Sequence, residues 1–232
     1  MQIEDELISG PEVTGTIEQL GADERQAASR KRAARRERER PNRKLTEEFV
    51  RSSRNANAPC SEEFLLDLHN VTIAGSGAGE AEGYRSSRVV VKWKRKVVYR
   101  PPGPESVPSL MNGVFDFLSR LDSSPDIDPY AEVYLRMMKI HPFRQGNGRT
   151  ARALVTYLLL KNGYAQFRGR SLESYIDANT EEYYDCLYRS RIDDPGVWIP
   201  FFRRAVRATF LSPSDGAVGR LANRLERALR CS

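Results

Sequence analysis

One stretch constrains this chain more than any other: His141-Pro142-Phe143-Arg144-Gln145-Gly146-Asn147-Gly148-Arg149-Thr150-Ala151-Arg152. On its N-terminal side, Tyr130, Val133, Tyr134, Met137 and Met138 recur at i, i+3, i+4, i+7 and i+8, the spacing of one apolar helical face, and His141 continues that face. On its C-terminal side, Ala151 to Leu160 is apolar nearly all round, which predicts a central buried helix. A tight loop containing Gly146 and Gly148 joins the two. Any fold must therefore bring a helix end, a turn and a helix start together at its core. Such a junction has its own chemistry. Glycine lets backbone N–H groups converge without a Cβ clash, making an anion nest. The helix start adds N–H donors with no acceptor inside the helix, and the positive end of the dipole. Asn147 stands where a capping side chain belongs. Arg149 and Arg152, three residues apart, share a helical face, and both reach an anion over the nest. His141, at the mouth of the loop, can take a proton from an attacking hydroxyl near neutral pH. The segment reads as a polyphosphate site with a base beside it. Phe143 reads as a buried anchor for the loop, Arg144 as solvated, and His69, the other of two histidines, as structural.

The remainder of the chain supplies more helices and one hairpin. Phe64, Leu65, Leu68, Val71 and Thr72 fall on a helical face, and a Gly-rich loop (Gly75, Gly77, Gly79, Gly83) ends it. Val89, Val90, Val91 and Trp93 oppose Val97, Val98 and Tyr99 across a short polar turn, which predicts a β-hairpin over 88–99 closed by Pro101 and Pro102. Helices follow over roughly 105–121, from about Asp128, and over 179–192. Trp198, Phe201, Phe202, Ala205, Val206, Thr209 and Phe210 form a further stripe, and Val218 to Leu229 a weaker C-terminal one. The architecture expected is all-α, a helical bundle with one hairpin. Three regions are expected: an N-terminal extension over 1–60, a globular domain over 61–210, and an amphipathic helix over 211–232.

Composition narrows the function classes. The chain has 232 residues, a net charge of +6 and no apolar run near the roughly 20 residues that span a bilayer. No secretory signal opens it, and Cys60, Cys186 and Cys231 form no metal or disulfide pattern, so a cytoplasmic, membrane-free protein is expected. The basic excess lies between Arg25 and Lys44. Without stacking aromatics it reads as a solvated helix or arm rather than a nucleic-acid surface.

The stretch from His141 to Arg152 resembles the Fic signature, HPFx(D/E)GNGRxxR, and departs from it at one specified position, Gln145. Gly83-Tyr84-Arg85, the hairpin and Tyr99-Arg100-Pro101-Pro102 resemble that family's flap region, and the likeness covers roughly Glu62 to Phe210. The resemblance implies a Fic-type (Fido) bundle and an adenylyltransferase that moves AMP from ATP to a Ser, Thr or Tyr hydroxyl of a target protein. It implies His141 as general base and Gly146, Asn147, Gly148 and Arg149 as phosphate holders. Arg152 would pair with the γ-phosphate, and the target would bind along the flap, 88–99. Tyr183 or Tyr184 would line the adenine pocket; a stacked core pair is the other reading of those two. A second copy of the chain is a further partner this reading admits. The family holds Mg²⁺ with Asp or Glu where Gln145 stands, so weaker metal binding and slower transfer are expected, with a non-catalytic nucleotide-binding protein as the alternative. Gly148, where kinases of the Doc type carry lysine, favours nucleotide over phosphate transfer. Upstream, Thr14 and Glu18 match the inhibitory motif (S/T)xxxE(G/N), with Gln19 departing; a helix-start capping pattern is the alternative.

Overall fold

The structure, a computed structural model, describes residues 43–54, 56–74, 83–93, 96–121, 126–192 and 195–212. The chain from Pro41 onward forms a compact unit of its own. Thr14, Glu18, most of the basic segment and the C-terminal stripe lie outside the described residues.

The first described helix, α1, covers residues 43–54. The second, α2 (Glu62–Ile73), begins where Ser61 accepts a hydrogen bond from the Phe64 N–H at 3.2 Å, with Glu62 and Glu63 complementing the dipole. A hairpin follows: β1 (Val91–Trp93) pairs antiparallel with β2 (Lys96–Tyr99) in the register Val91↔Tyr99, Lys92↔Val97 and Trp93↔Lys96. Then come α3 (Val107–Ser119), α4 (Asp128–Ile140) and α5 (Asn147–Lys161). The short strand β3 (Ala165–Gln166) leads to α6 (Leu172–Ala178), where Ser171 and Ser174 cap each other's backbone. The chain continues through α7 (Thr180–Ile192) and α8 (Trp198–Thr209) to β4 (Phe210–Leu211).

The predicted all-α bundle with a hairpin is the architecture observed. At its centre α5 packs between α2 and α4, and α8 lies against α4 and α6. Leu154, Val155, Tyr157 and Leu159 of α5 are at most 1% exposed, as its near-continuous apolar sequence requires. Val50 of α1 joins the same core. In the α4–α8 interface Tyr134 stacks on Trp198 and meets Phe202 at a tilt, and the Trp198 indole N–H donates to the Ala131 carbonyl at 2.8 Å, so the polar edge of the largest buried side chain is satisfied. One expectation needs correction: Phe210 does not continue the α8 stripe. Its backbone is extended (φ −134°, ψ 148°), because the chain there pairs with Gln166 in a small second sheet. α4 ends near His141 as expected, with His141 as its cap, because the following Pro142 disfavours right-handed helical backbone before it.

Candidate active site

The helix end sets the geometry. α4 stops at Ile140, and His141 adopts a left-handed conformation (φ 53°, ψ 58°), rare for a residue with a Cβ. The imidazole is half-buried there, next to the loop that opens α5. Across the loop, Gly146 is also left-handed (φ 75°) and caps the start of α5. A Cβ at Gly146 would lie 2.6 Å from Ile73 Cγ2 and 3.3 Å from His69 Cε1, so glycine is required by both conformation and space.

Asn147 was expected to cap α5, and it does not. It is the first helical residue, 2% exposed, and its side chain turns back on the loop. Its Oδ1 accepts from the Phe143 N–H at 2.9 Å, and its Nδ2 donates to the Phe143 carbonyl at 2.8 Å. A side-chain amide reproduces the donor–acceptor pair of a backbone amide, so this closes the five-residue turn as a strand partner would. Phe143 is the anchor expected, 1% exposed, and Arg144 is exposed as expected.

His69 lies beneath the loop. It stacks on Phe143 with centroids 3.6 Å apart and planes at 5°, and shares a 2.8 Å hydrogen bond with Thr150 Oγ1 through Nδ1. Burial, aided by the neighbouring Arg149, pushes its pKa down to about 4, so it is neutral at physiological pH. That fits a structural histidine.

Both arginines border the glycines, from different anchors. Arg149 Nη2 lies 3.7 Å from where a Gly146 Cβ would be, and its Nη1 donates to the Thr72 carbonyl at the end of α2 at 3.2 Å. Arg152 Nη1 lies 3.2 Å from where a Gly148 Cβ would be, while its Nη2 pairs with Glu173 of α6 at 3.3 Å. The Arg152 side chain is 15% exposed. Burial alone would lower its pKa, but Tyr134, Glu173 and Tyr183 outweigh that and hold the guanidinium charged. The two aromatic candidates part company. Tyr183 is 4% exposed and its hydroxyl meets that of Tyr134 at 2.9 Å, whereas half-buried Tyr184 stacks on Trp93 of the hairpin at 3.8 Å.

Magnesium, implied by the resemblance, would be held here by substrate phosphates with only a weak protein donor, because Gln145 is an exposed, neutral carboxamide. Three partners escaped the sequence reading: Glu173, Thr150 and the contacts of Arg85. The Arg152–Glu173, His69–Thr150 and Arg85–His141 contacts act across 21, 81 and 56 residues of chain, where periodicity carries no signal. Among the described residues no helix is long and apolar enough to cross a membrane.

Residues 59–159 match the Fic/DOC family. The protein adenylyltransferase Fic of Nematostella vectensis is 29% identical over 149 residues, 62% of this chain and 32% of that protein. A probable protein adenylyltransferase of Aquifex aeolicus is 32% identical over 106 residues, 45% of this chain and 32% of its own length. The chain thus spans about a third of the length of these curated relatives. The crystal structure of a Fic family protein from Desulfovibrio desulfuricans superposes with a TM-score of 0.58 at 23% identity, covering 74% of this chain and 51% of that one, a likeness of fold. Signature, matched residues and fold agree on a Fic/DOC domain over residues 59–159.

Proposed function

We propose that the chain transfers AMP from ATP to a Ser, Thr or Tyr hydroxyl of a target protein. The observation that carries this reading is the junction itself: His141, turned out of the α4 end, stands five residues before a glycine-capped helix start bordered by two guanidinium groups. The target hydroxyl oxygen attacks the α-phosphorus. Its proton passes to the imidazole of His141, the bond from the α-phosphorus to the bridging oxygen breaks, and pyrophosphate leaves. The first-turn N–H groups of α5 and Arg149 hold the phosphate oxygens. Arg152 offers its Nη1 side to the γ-phosphate while Glu173 keeps Nη2, so one guanidinium serves both. Tyr184, beside Trp93, takes the adenine, with Tyr183 behind it in the core. The hairpin has two strands among the described residues, and its edge takes the target segment as an added strand. The names of the relatives support this reading. We further propose an inhibitory role for Glu18 and the cytoplasm as the compartment.

Incubation with ATP labelled at the α-phosphate tests the reading. Wild type should label protein, and His141→Ala should lower the rate by roughly two to four orders of magnitude while still binding ATP. Equal rates would remove His141 from this role. Gln145 favours one second reading, a nucleotide-binding protein without transfer, and ATP binding with no label in wild type would establish it.

A further inference from the structure

Arg85 stands between the hairpin and the end of α4, and its guanidinium serves backbone rather than a carboxylate. Nε donates to the His141 carbonyl at 2.8 Å, Nη2 to the Ile140 carbonyl at 3.3 Å and to the Pro102 carbonyl, and Nη1 to the Ser87 carbonyl at 3.1 Å. Its own N–H donates to the Pro142 carbonyl at 2.9 Å. The residue is 6% exposed. A buried charge persists only where its donors are satisfied, and here backbone oxygens satisfy them. Their positions define what the side chain does. Ile140 and His141 end α4, where a helix presents unpaired carbonyls and the negative end of its dipole, so a cation is favoured there. His141 is the left-handed residue, a conformation uncommon for a residue with a Cβ and kept where its surroundings hold it. Ser87 precedes β1 and Pro102 follows β2, so the same guanidinium gathers both ends of the hairpin. Tyr99 of β2 adds a second tie, donating to the Lys139 carbonyl at 3.0 Å.

We propose that Arg85 is a positioning residue for the transfer reaction, holding the backbone of His141 and both ends of the target-binding hairpin in one fixed relation. The proposal rests on His141 acting as the base. Arg85 touches neither nucleotide nor target; it decides where the imidazole stands relative to a hydroxyl presented along the hairpin. A lysine keeps the charge but places one ammonium where a planar fork reaches carbonyls on two sides.

The test is Arg85→Lys in the full chain. The maximal transfer rate should fall on the order of 10–100-fold, the scale of a catalytic group misplaced by an ångström, with ATP affinity within about twofold of wild type. Because the chain has two histidines, the imidazole Cε1–H spectrum carries two signals. That of His141 should move, and that of His69, buried against Phe143, should stay. An unmoved His141 signal with a wild-type rate would overturn the proposal. So would the shift of both signals together with lost ATP affinity, which would make Arg85 a general packing residue. Arg85→Gln, whose amide donates to fewer of these carbonyls, is judged by the same signals if the lysine variant does not fold. The spectral arm needs no turnover, so a wild type that labels nothing would count against the function while the two signals still decide the hold on His141.

Discussion

The residue that departs from the family pattern, Gln145, sits where its substitution is structurally free. On one side Phe143 is clamped by Asn147 and stacked on His69; on the other Gly146 is pressed against Ile73. Between them Arg144 and Gln145 are exposed. A change at Gln145 therefore leaves the loop intact and acts through charge alone. Gln145→Asp should leave the melting temperature near that of wild type, speed transfer and lower its magnesium requirement. The half-saturating magnesium concentration should drop about tenfold or more, equivalent to about 1.4 kcal/mol from a charged oxygen replacing a neutral one. Unchanged magnesium dependence in rate titrations would mean this side chain does not face the ion.

At the scale of elements, the junction of α4 and α5 is built on α2 as a floor. Ile73 and His69 of α2 fill the space a side chain at position 146 would need, and the end of α2 anchors Arg149. Gly146→Ala thus meets two separable penalties: a left-handed backbone, about 1–2 kcal/mol, and the clash with Ile73. It should lower the melting temperature by several degrees, at about 2–4 °C per kcal/mol for a domain of this size, and lower ATP affinity with it. Ile73→Ala in the same chain should relieve the steric part and leave the conformational part. A double-mutant cycle with denaturant midpoints measures the coupling, and strict additivity would show that Ile73 is not the obstacle.

Across the whole molecule, the buried neutral His69 links the site to acid stability. Its folded pKa of about 4 lies below the ordinary 6.5, because burial and Arg149 oppose its charge. The unfolded chain takes up this proton first as pH falls. The stabilisation is therefore fully present above pH about 6.5, declines through the interval, and is lost below about 4. A shift of this size corresponds to about 3 kcal/mol. Urea midpoints of wild type should fall between pH 6.5 and 4 more steeply than those of His69→Gln, which should be less stable at pH 7 but flatter. Parallel curves would show that His69 is not held neutral.

Periodicity and composition sufficed for α2, α3, α4, α5, α7, α8 and the hairpin, because amphipathic spacing is a local property that burial then enforces; α1, α6 and the β3–β4 pair are short or polar enough to leave no such signal. The stretch from His141 to Arg152 likewise carried the site legibly, since glycines, arginines and a histidine lie within one turn and one helix start. Tertiary structure decided how those residues are held. Asn147 became a loop clamp instead of a cap because Gly146 took the capping position and left its amide facing Phe143. His141 turns left-handed at the end of α4 because Pro142 follows, and Arg85, 56 residues earlier, donates to its carbonyl. Arg152 found Glu173 on α6, and Tyr183 went to the core while Tyr184 met the hairpin. Such partners are chosen by three-dimensional proximity and the need to satisfy buried polar groups, and neither leaves a mark in the spacing of residues along the chain.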